Sequence, residues 1–265
     1  MIIELEYFAK GVFAINKRER RDQILSILKN RNTVTVNFLA NALLVSPATI
    51  RRDLQLMSEQ GLIRHYYGGV TLMTDASKRL PIELRYLEYQ KEKMRIAQKA
   101  LSLISEGDSL FIDASSTCLQ LVPGLRQFSN LTIVTNSQRL IDSLSDTNIT
   151  LFSTGGRLSR SSMSYVGRQT NLCLKDMQFD KCLFSCQAIS NDGYLSDGME
   201  TDCQIHSLLL TQPGVKIGLF DSGKLNHHRM FKVGRIEQLD YIISDIDVFT
   251  AIQKPVGDTP ISLEA

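Results

Sequence analysis

Arg51 and Arg52 stand side by side in "SPATIRRDLQLMSEQG", residues 46–61, within a stretch whose apolar residues recur at helical spacing. A guanidinium is a planar fork of donors suited to two tasks, reading a guanine edge bidentately or clamping a phosphate. The spacing does not say which arginine does which. A second set of reactive types follows the apolar runs of the later chain: Asp113 with "SST" at 115–117, Asn136 with Ser137, "TGGR" at 154–157, Glu200, and Asp221 with Lys224. Amides and hydroxyls where a strand passes into a helix, beside a cation, are the groups that cradle a small anion.

The arginines need a helix to present them. Ile50, Leu54 and Met57 fall at i, i+4 and i+7 on one stripe, while Ala48, Arg52 and Gln55 point the opposite way with Arg51 beside them. Ser46 reads as an N-cap and Pro47 as the first helical residue, and the helix is expected to run to Gln60 and stop at Gly61. Upstream, "RRDQILSILKN" forms a helix on Ile24, Leu25, Ile27 and Leu28. "TVTV" at 33–36 is extended, and "NFLANALL" is a helix expected to bury Phe38, Leu39, Leu43 and Leu44. Downstream, "LIRHYYGGV" reads as a hairpin with Gly68 and Gly69 supplying turn angles. Two helices, a tight turn, a capped helix with a basic outer face and a hairpin make a winged helix-turn-helix, whose last helix enters the major groove. The expected DNA-contacting set is Ser46, Ala48, Thr49, Arg51, Arg52 and Gln55, with Arg64, His65 and Tyr66 from the wing. His65 and one tyrosine fit packing roles equally well.

Charge supports a polyanion partner. The 265 residues carry a net charge of +2, but residues 17–70 hold nine basic against four acidic side chains, a surplus of five, which leaves the remainder mildly acidic. Composition is that of a globular chain, 43% hydrophobic and 22% charged, with no apolar run of membrane-spanning length. The opening "MIIELEYFAKGVFAIN" is interrupted by Glu4, Glu6 and Lys10 and makes a poor signal peptide, so a cytoplasmic protein is expected. Five cysteines, an odd number, read as reduced thiols; Cys182 and Cys186 have no CxxC pair or histidine nearby, and no metal or cofactor is expected.

From about residue 90, helix-like segments alternate with the apolar strands "SLFID", "LTIVTN", "ITLFST", "KCLFSC", "VKIGLFD" and "YIISD". That alternation predicts an α/β domain with a mostly parallel sheet covered on both faces, and ligands in such sheets bind at the carboxyl ends of strands. The chain therefore divides into an N-terminal extension (1–16), a winged helix-turn-helix domain (17–74), a linker (75–92) and a sensor domain (93–265).

The stretch "SPATIRRDLQLMSEQGLIRHYYGG" resembles the signature of DeoR-type bacterial transcription regulators. The resemblance continues through "PIELRYLEYQKEKMRIAQKA" into the C-terminal half, covering roughly residues 17–250. It implies a sensor domain resembling sugar-phosphate isomerases, a phosphorylated sugar or sugar derivative as effector, double-stranded operator DNA as partner, and a homodimer or homotetramer that represses a carbohydrate-use operon. Carried across by motif, Ser115, Ser116 and Thr117 form the anion site, Arg157 and Lys224 are countercharges, and Asp113, Asn136 and Glu200 meet hydroxyls. Ser137, Gly155, Gly156 and Asp221 complete the rim. This chain departs from the pattern at Ser115, Ser185, Gln187 and Ala188, where the family has Gly, Gly, Asp and Gly, and "SGKL" stands for S-S-K-F. Two rival readings remain open: an isomerase-like enzyme with Glu200 or Asp113 as base, which the lack of a histidine near the strand ends disfavours, and a regulator whose pocket no longer binds ligand.

Overall fold

A computed structural model describes residues 16–31, 33–59, 61–66, 69–72, 81–252 and 260–265. The chain splits into two compact units between Ala76 and Ser77. No helix among the described residues is long and apolar enough to cross a membrane.

In the first unit, α1 (Lys17–Asn30) is capped by Asn16, whose side chain accepts the Glu19 N–H, and α2 (Val36–Ala42) by Thr35, whose hydroxyl accepts the Phe38 N–H. α3 (Pro47–Glu59) starts at Ser46, whose Oγ accepts the Thr49 N–H at 3.1 Å. It stops where Gly61 takes φ 72° and the Gly61 and Leu62 amides fold back onto the Ser58 and Met57 carbonyls. Ile24, Leu25 and Leu28 of α1, Leu39 of α2 and Ile50, Leu54 and Met57 of α3 are all closed to water. β1 (Ile63–Tyr66) and β2 (Gly69–Leu72) pair antiparallel, and Val34 bridges to Val70.

Three expectations for this unit need correction. Leu44 is not core: it is 89% exposed with φ 53°, because the turn between α2 and α3 needs a left-handed residue there. Phe38 is only half-buried, its ring under the Arg31 guanidinium. Gly69 is needed for space and not for backbone angle, since a Cβ on it would lie 2.4 Å from the Val34 carbonyl oxygen; Gly68 lies outside the described residues.

Asp53 is buried on the inner side of α3, where its carboxylate takes the Arg20 Nε at 2.6 Å and the Arg21 Nε at 3.3 Å. Two of the nine basic residues are thus committed to anchoring α3 on α1. Removing one partner of a buried ion pair strands the other charge in a dry site. Asp53→Ala should destabilise the full-length protein by about 3 kcal/mol in urea denaturation followed by circular dichroism; a loss near zero would contradict the anchoring role.

The second unit opens with α4 (Ile82–Leu87) and α5 (Gln90–Leu101), followed by β3 (Ser109–Ile112), a 3-10 turn at Cys118–Leu121, α6 (Val122–Leu125), β4 (Thr132–Thr135), α7 (Gln138–Leu144) and β5 (Thr150–Ser153). A hairpin, β6 (Arg157–Ser159) with β7 (Ser164–Val166), leads into α8 (Arg168–Lys175) and β8 (Lys181–Phe184). Then come β9 (Ala188–Ile189), β10 (Tyr194–Asp197), α9 (Glu200–Thr211), β11 (Val215–Phe220), β12 (Phe231–Arg235), β13 (Tyr241–Ser244), α10 (Val248–Ala251) and β14 (Ile261–Glu264). β9, β10 and β12 make a small antiparallel sheet.

The main sheet has seven parallel strands in the order β14-β13-β11-β8-β3-β4-β5. Alternate side chains serve opposite faces: Leu110 and Ile112 pack with Ile96 and Leu140 on one side, Phe111 and Phe184 with Ile205 and Phe249 on the other. Both faces being covered explains the unbroken apolar strands. The chain runs from β3 outward through β4 and β5, then returns to place β8 on β3's other side. The connections thus reverse direction between β3 and β8, and the crevice at the carboxyl ends of such a switch point is where ligands bind in α/β sheets.

The expected linker is shorter than 75–92. Ile82 and Leu84 are buried, the Ile82 amide donates to the Ser161 carbonyl, and Glu83 pairs with Arg139, so residues 82–92 are built into the second unit. Their polar composition concealed this.

Candidate DNA interface and sensor site

On α3 the side chains of Ala48, Arg51, Arg52 and Gln55 are exposed, and neither arginine has a hydrogen bond or ion pair to another described residue. Gln55 Nε2 donates to Glu59 at 2.9 Å. Ser46 and Thr49 share a hydroxyl contact at 2.9 Å at the helix start, so their oxygens hold the cap. Arg64, His65 and Tyr66 are exposed along β1, with the Tyr66 hydroxyl close against Gly69; Tyr67, the other candidate for a packing role, lies outside the described residues. Arg51, His65 and Tyr66 line a groove together with Thr35 and Asn37 at the start of α2. Thr35 and Asn37, at the capped start of α2, are not among the residues expected from the sequence.

In the second unit, the β3–β8 crevice holds a chain of buried charges. Asp113 Oδ1 accepts the Ser115 N–H at 3.0 Å; its Oδ2 accepts the Ser185 N–H at 3.2 Å and faces His206 Nε2 at 3.1 Å. His206 Nδ1 lies 2.6 Å from Asp197 Oδ2, and Asp197 Oδ1 accepts the Gln187 N–H at 3.0 Å. With a carboxylate at each ring nitrogen, His206 donates from both and is an imidazolium. Burial alone pushes its pKa down, but the charges of Asp197 and the bonds to both carboxylates win, holding it well above 6.5. Burial pushes Asp113 up, yet the His206 bond and charge outweigh it and bring Asp113 to about 2.

Cys186, Asp197 and His206 converge closely enough to hold a metal ion. Both His206 nitrogens already face carboxylates, and burial followed by the Asp197 charge pushes the Cys186 thiol up to about 12. In this structure His206 is taken by a carboxylate at each ring nitrogen, so the three residues form part of an ion-pair network.

Beside this network lies a polar cradle around Lys224. Lys224 Nζ donates to Ser185 Oγ at 2.6 Å and Thr117 Oγ1 at 3.3 Å and lies 3.7 Å from Asp221 Oδ2. Ser115 Oγ accepts the Cys118 N–H, capping the 3-10 turn. The backbone amides of Ser116 and Thr117 donate to no other described residue. On the neighbouring strand, Asn136 Oδ1 is buried without a partner, while Ser137 caps α7.

The remaining expected site residues are placed differently. Asp113 has both oxygens committed to internal donors and does not offer them to a hydroxyl. Arg157 is exposed at the start of β6, and Glu200 is exposed with its carboxylate accepting from Gln204; neither contacts the Asp113–Lys224 group. Gly156 has a packing reason, because a Cβ there would sit 2.5 Å from Thr170 Oγ1; Gly155 takes φ 62° and its carbonyl accepts the Thr170 hydroxyl. The expectation that no histidine reaches the strand ends fails with His206. Lys93, buried and 3.8 Å from Asp221, was also missed. Their partners are distant in sequence, so no local pattern points to them.

Residues 20–76 match the DeoR-like helix-turn-helix domain and residues 88–246 the DeoR C terminal sensor domain. The chain belongs to the DeoR family of DNA-binding transcriptional regulators. It is 32% identical over 232 residues to the L-fucose operon activator of Escherichia coli (strain K12), covering 86% of this chain and 95% of that one. It is also 32% identical over 238 residues to the lactose phosphotransferase system repressor of Lactococcus lactis subsp. lactis, covering 87% and 92%. Among solved structures, ribose 5-phosphate isomerase A from Methanocaldococcus jannaschii is similar with a TM-score of 0.39 and 14% identity over 52% of this chain and 55% of that one.

His206 ties the carboxyl end of β3 to β10 through its two carboxylate contacts. Its folded pKa lies above 6.5, so its contribution is full below pH 6.5 and fades as pH rises through the folded value. That of Asp113 lies near 2, below its ordinary 3.8, so its contribution is full above 3.8 and is lost on acidification towards 2. His206→Gln should therefore cost about 3 kcal/mol, the gap to wild type being widest between about pH 4 and 6.5. Urea denaturation across pH 3–9 checks this; a gap that grows towards pH 9 would contradict it.

Proposed function

We propose that the protein represses a carbohydrate-use operon in the cytoplasm, binding duplex operator DNA as a homodimer or homotetramer and responding to a phosphorylated sugar held in the sensor unit. The observation that carries the DNA reading is the guanidinium pair, without a partner among the described residues, on the outer face of a capped helix beside an exposed wing. In this reading Ala48, Arg51, Arg52 and Gln55 approach base edges and adjacent phosphates, Ser46 and Thr49 fix the helix start, and Arg64, His65 and Tyr66 follow the backbone. Two-fold assembly doubles the length of duplex read by so small a module.

For the effector, the amides of Ser116 and Thr117, the Thr117 hydroxyl and Lys224 supply donors and a cation suited to a phosphate. The buried Asn136 Oδ1 suits a sugar hydroxyl, which can donate to it. Arg157 and Glu200 drop out of the proposed site. Sugar regulation and the repressor sign rest on relatives: one is named an L-fucose operon activator, others lactose phosphotransferase system repressors and a putative aga operon transcriptional repressor.

Two variants test the halves separately. Arg52→Ala should weaken operator binding measured by fluorescence anisotropy. If Arg52 reads a base, preference at one position falls by about 1–3 kcal/mol; if it holds a phosphate, affinity falls evenly and the salt dependence becomes shallower. Binding equal to wild type would refute the interface. Lys224→Ala should abolish thermal stabilisation by ribose 5-phosphate, glucose 6-phosphate or fructose 1-phosphate, whichever stabilises the wild type, and leave DNA affinity intact. Stabilisation that survives the substitution would refute the cradle.

A further inference from the structure

Lys93 is a cation taken out of water on the first turn of α5, and the reading above gives it no task. Its Nζ donates to the Arg85 carbonyl at 2.7 Å and the Glu88 carbonyl at 2.6 Å, at the carboxyl end of α4, and lies 3.8 Å from Asp221 Oδ2. Helix carboxyl ends attract cations, so this ammonium is the clasp of the α4–α5 turn. Asp221 Oδ2 is buried with no hydrogen bond and sits between two ammonium groups, Lys93 at 3.8 Å and Lys224 at 3.7 Å.

A second contact joins the same two segments. Tyr89, in the α4–α5 turn, holds φ 49°, a left-handed conformation unfavourable for an aromatic residue. Its ring lies against Gly223 so closely that a Cβ there would fall 2.4 Å from Tyr89 Cε2. Gly223 is the residue before Lys224. The segment that carries the chain from the DNA-binding unit into the sensor unit is therefore seated, by Lys93 and by Tyr89, on the loop that bears the cradle's cation.

We propose that Lys93 relays occupancy of the cradle to residues 82–92: an anion held by Lys224 leaves Asp221 to Lys93, which is drawn from the Arg85 and Glu88 carbonyls and loosens the α4–α5 turn. The charge argument is direct. Lys224 now serves Ser185, Thr117 and Asp221 together, and a phosphate competes for it better than hydroxyls do. Asp221 cannot stay buried without a counterion, and Lys93 is the other cation within 4 Å among the described residues. Burial first, then the Lys224 charge, brings the Lys93 pKa down to about 8 against the pull of Asp221 and Glu88, and the two carbonyls and Asp221 are its alternative partners. Because residues 82–92 continue directly into the chain from the DNA-binding unit, loosening them is a route by which the effector changes operator affinity.

The inference rests on the effector reading of the cradle, and one experiment separates the two. Hydrogen–deuterium exchange of the full-length wild type and of Lys93→Met is followed at residues 82–92, with and without inorganic phosphate and the three sugar phosphates named above, alongside thermal stability. In the wild type, a probe that raises the melting temperature should speed exchange of the 84–90 amides by on the order of fivefold. In Lys93→Met the same probe should still stabilise the protein and leave that exchange unchanged. Stabilisation of the wild type with unchanged or slower exchange at 84–90 overturns the relay and leaves the effector site standing. An equal exchange response in Lys93→Met also overturns it. If no probe stabilises the wild type, the effector reading and the relay fall together. Should Lys93→Met not fold, the wild-type comparison alone decides.

Discussion

A carboxylate removed from water must be met by a cation, and both units of this protein are arranged around such meetings. In the first, Asp53 on the inner side of α3 is held by Arg20 and Arg21 of α1. With Ile50, Leu54 and Met57 facing the same way, this sets the rotation of α3 about its own axis. Successive helical residues turn by about 100°, so when Asp53 points in, the two residues before it are carried to the outer face. The outward display of Arg51 and Arg52 is thus a consequence of which side is anchored.

In the second unit the same constraint organises the crevice between β3 and β8. Two neighbouring strands whose connections leave in opposite directions open a gap at their carboxyl ends, and polar groups that enter it lose water. The Asp113–His206–Asp197 chain fills the gap from one side and ties β3, the loop after β8, β10 and α9 together. Lys224, Ser185, Thr117 and Asp221 fill it from the other, the ammonium being shared between two hydroxyls and a carboxylate.

What could be read from the sequence was whatever has a local cause. The start and stop of α3 follow from Ser46, Pro47 and Gly61, and the apolar strands and their alternation with helices follow from burial on both faces. Errors came where position in the fold overrides local pattern. Leu44 continues an apolar stripe but occupies a turn residue, so its side chain is put into solvent. Residues 82–92 look like a charged linker because the burial of Lys93 depends on carbonyls and a carboxylate that the fold brings to it. His206 gives no signal, since its partners lie 93 and 9 residues away. Arg157 and Glu200 were carried to the rim by the family motif, and they stand exposed at the start of a hairpin strand and of α9.

The most direct test of the central claim, that the guanidinium face of α3 reads duplex DNA, is selection of bound fragments from the source genome by the purified full-length protein. The account predicts that the recovered fragments share one recurring sequence beside genes of carbohydrate use, and that an Arg51→Ala, Arg52→Ala double variant recovers none of it. Enrichment of the same sequence by the double variant, or recovery of fragments without a shared sequence by the wild type, would contradict it.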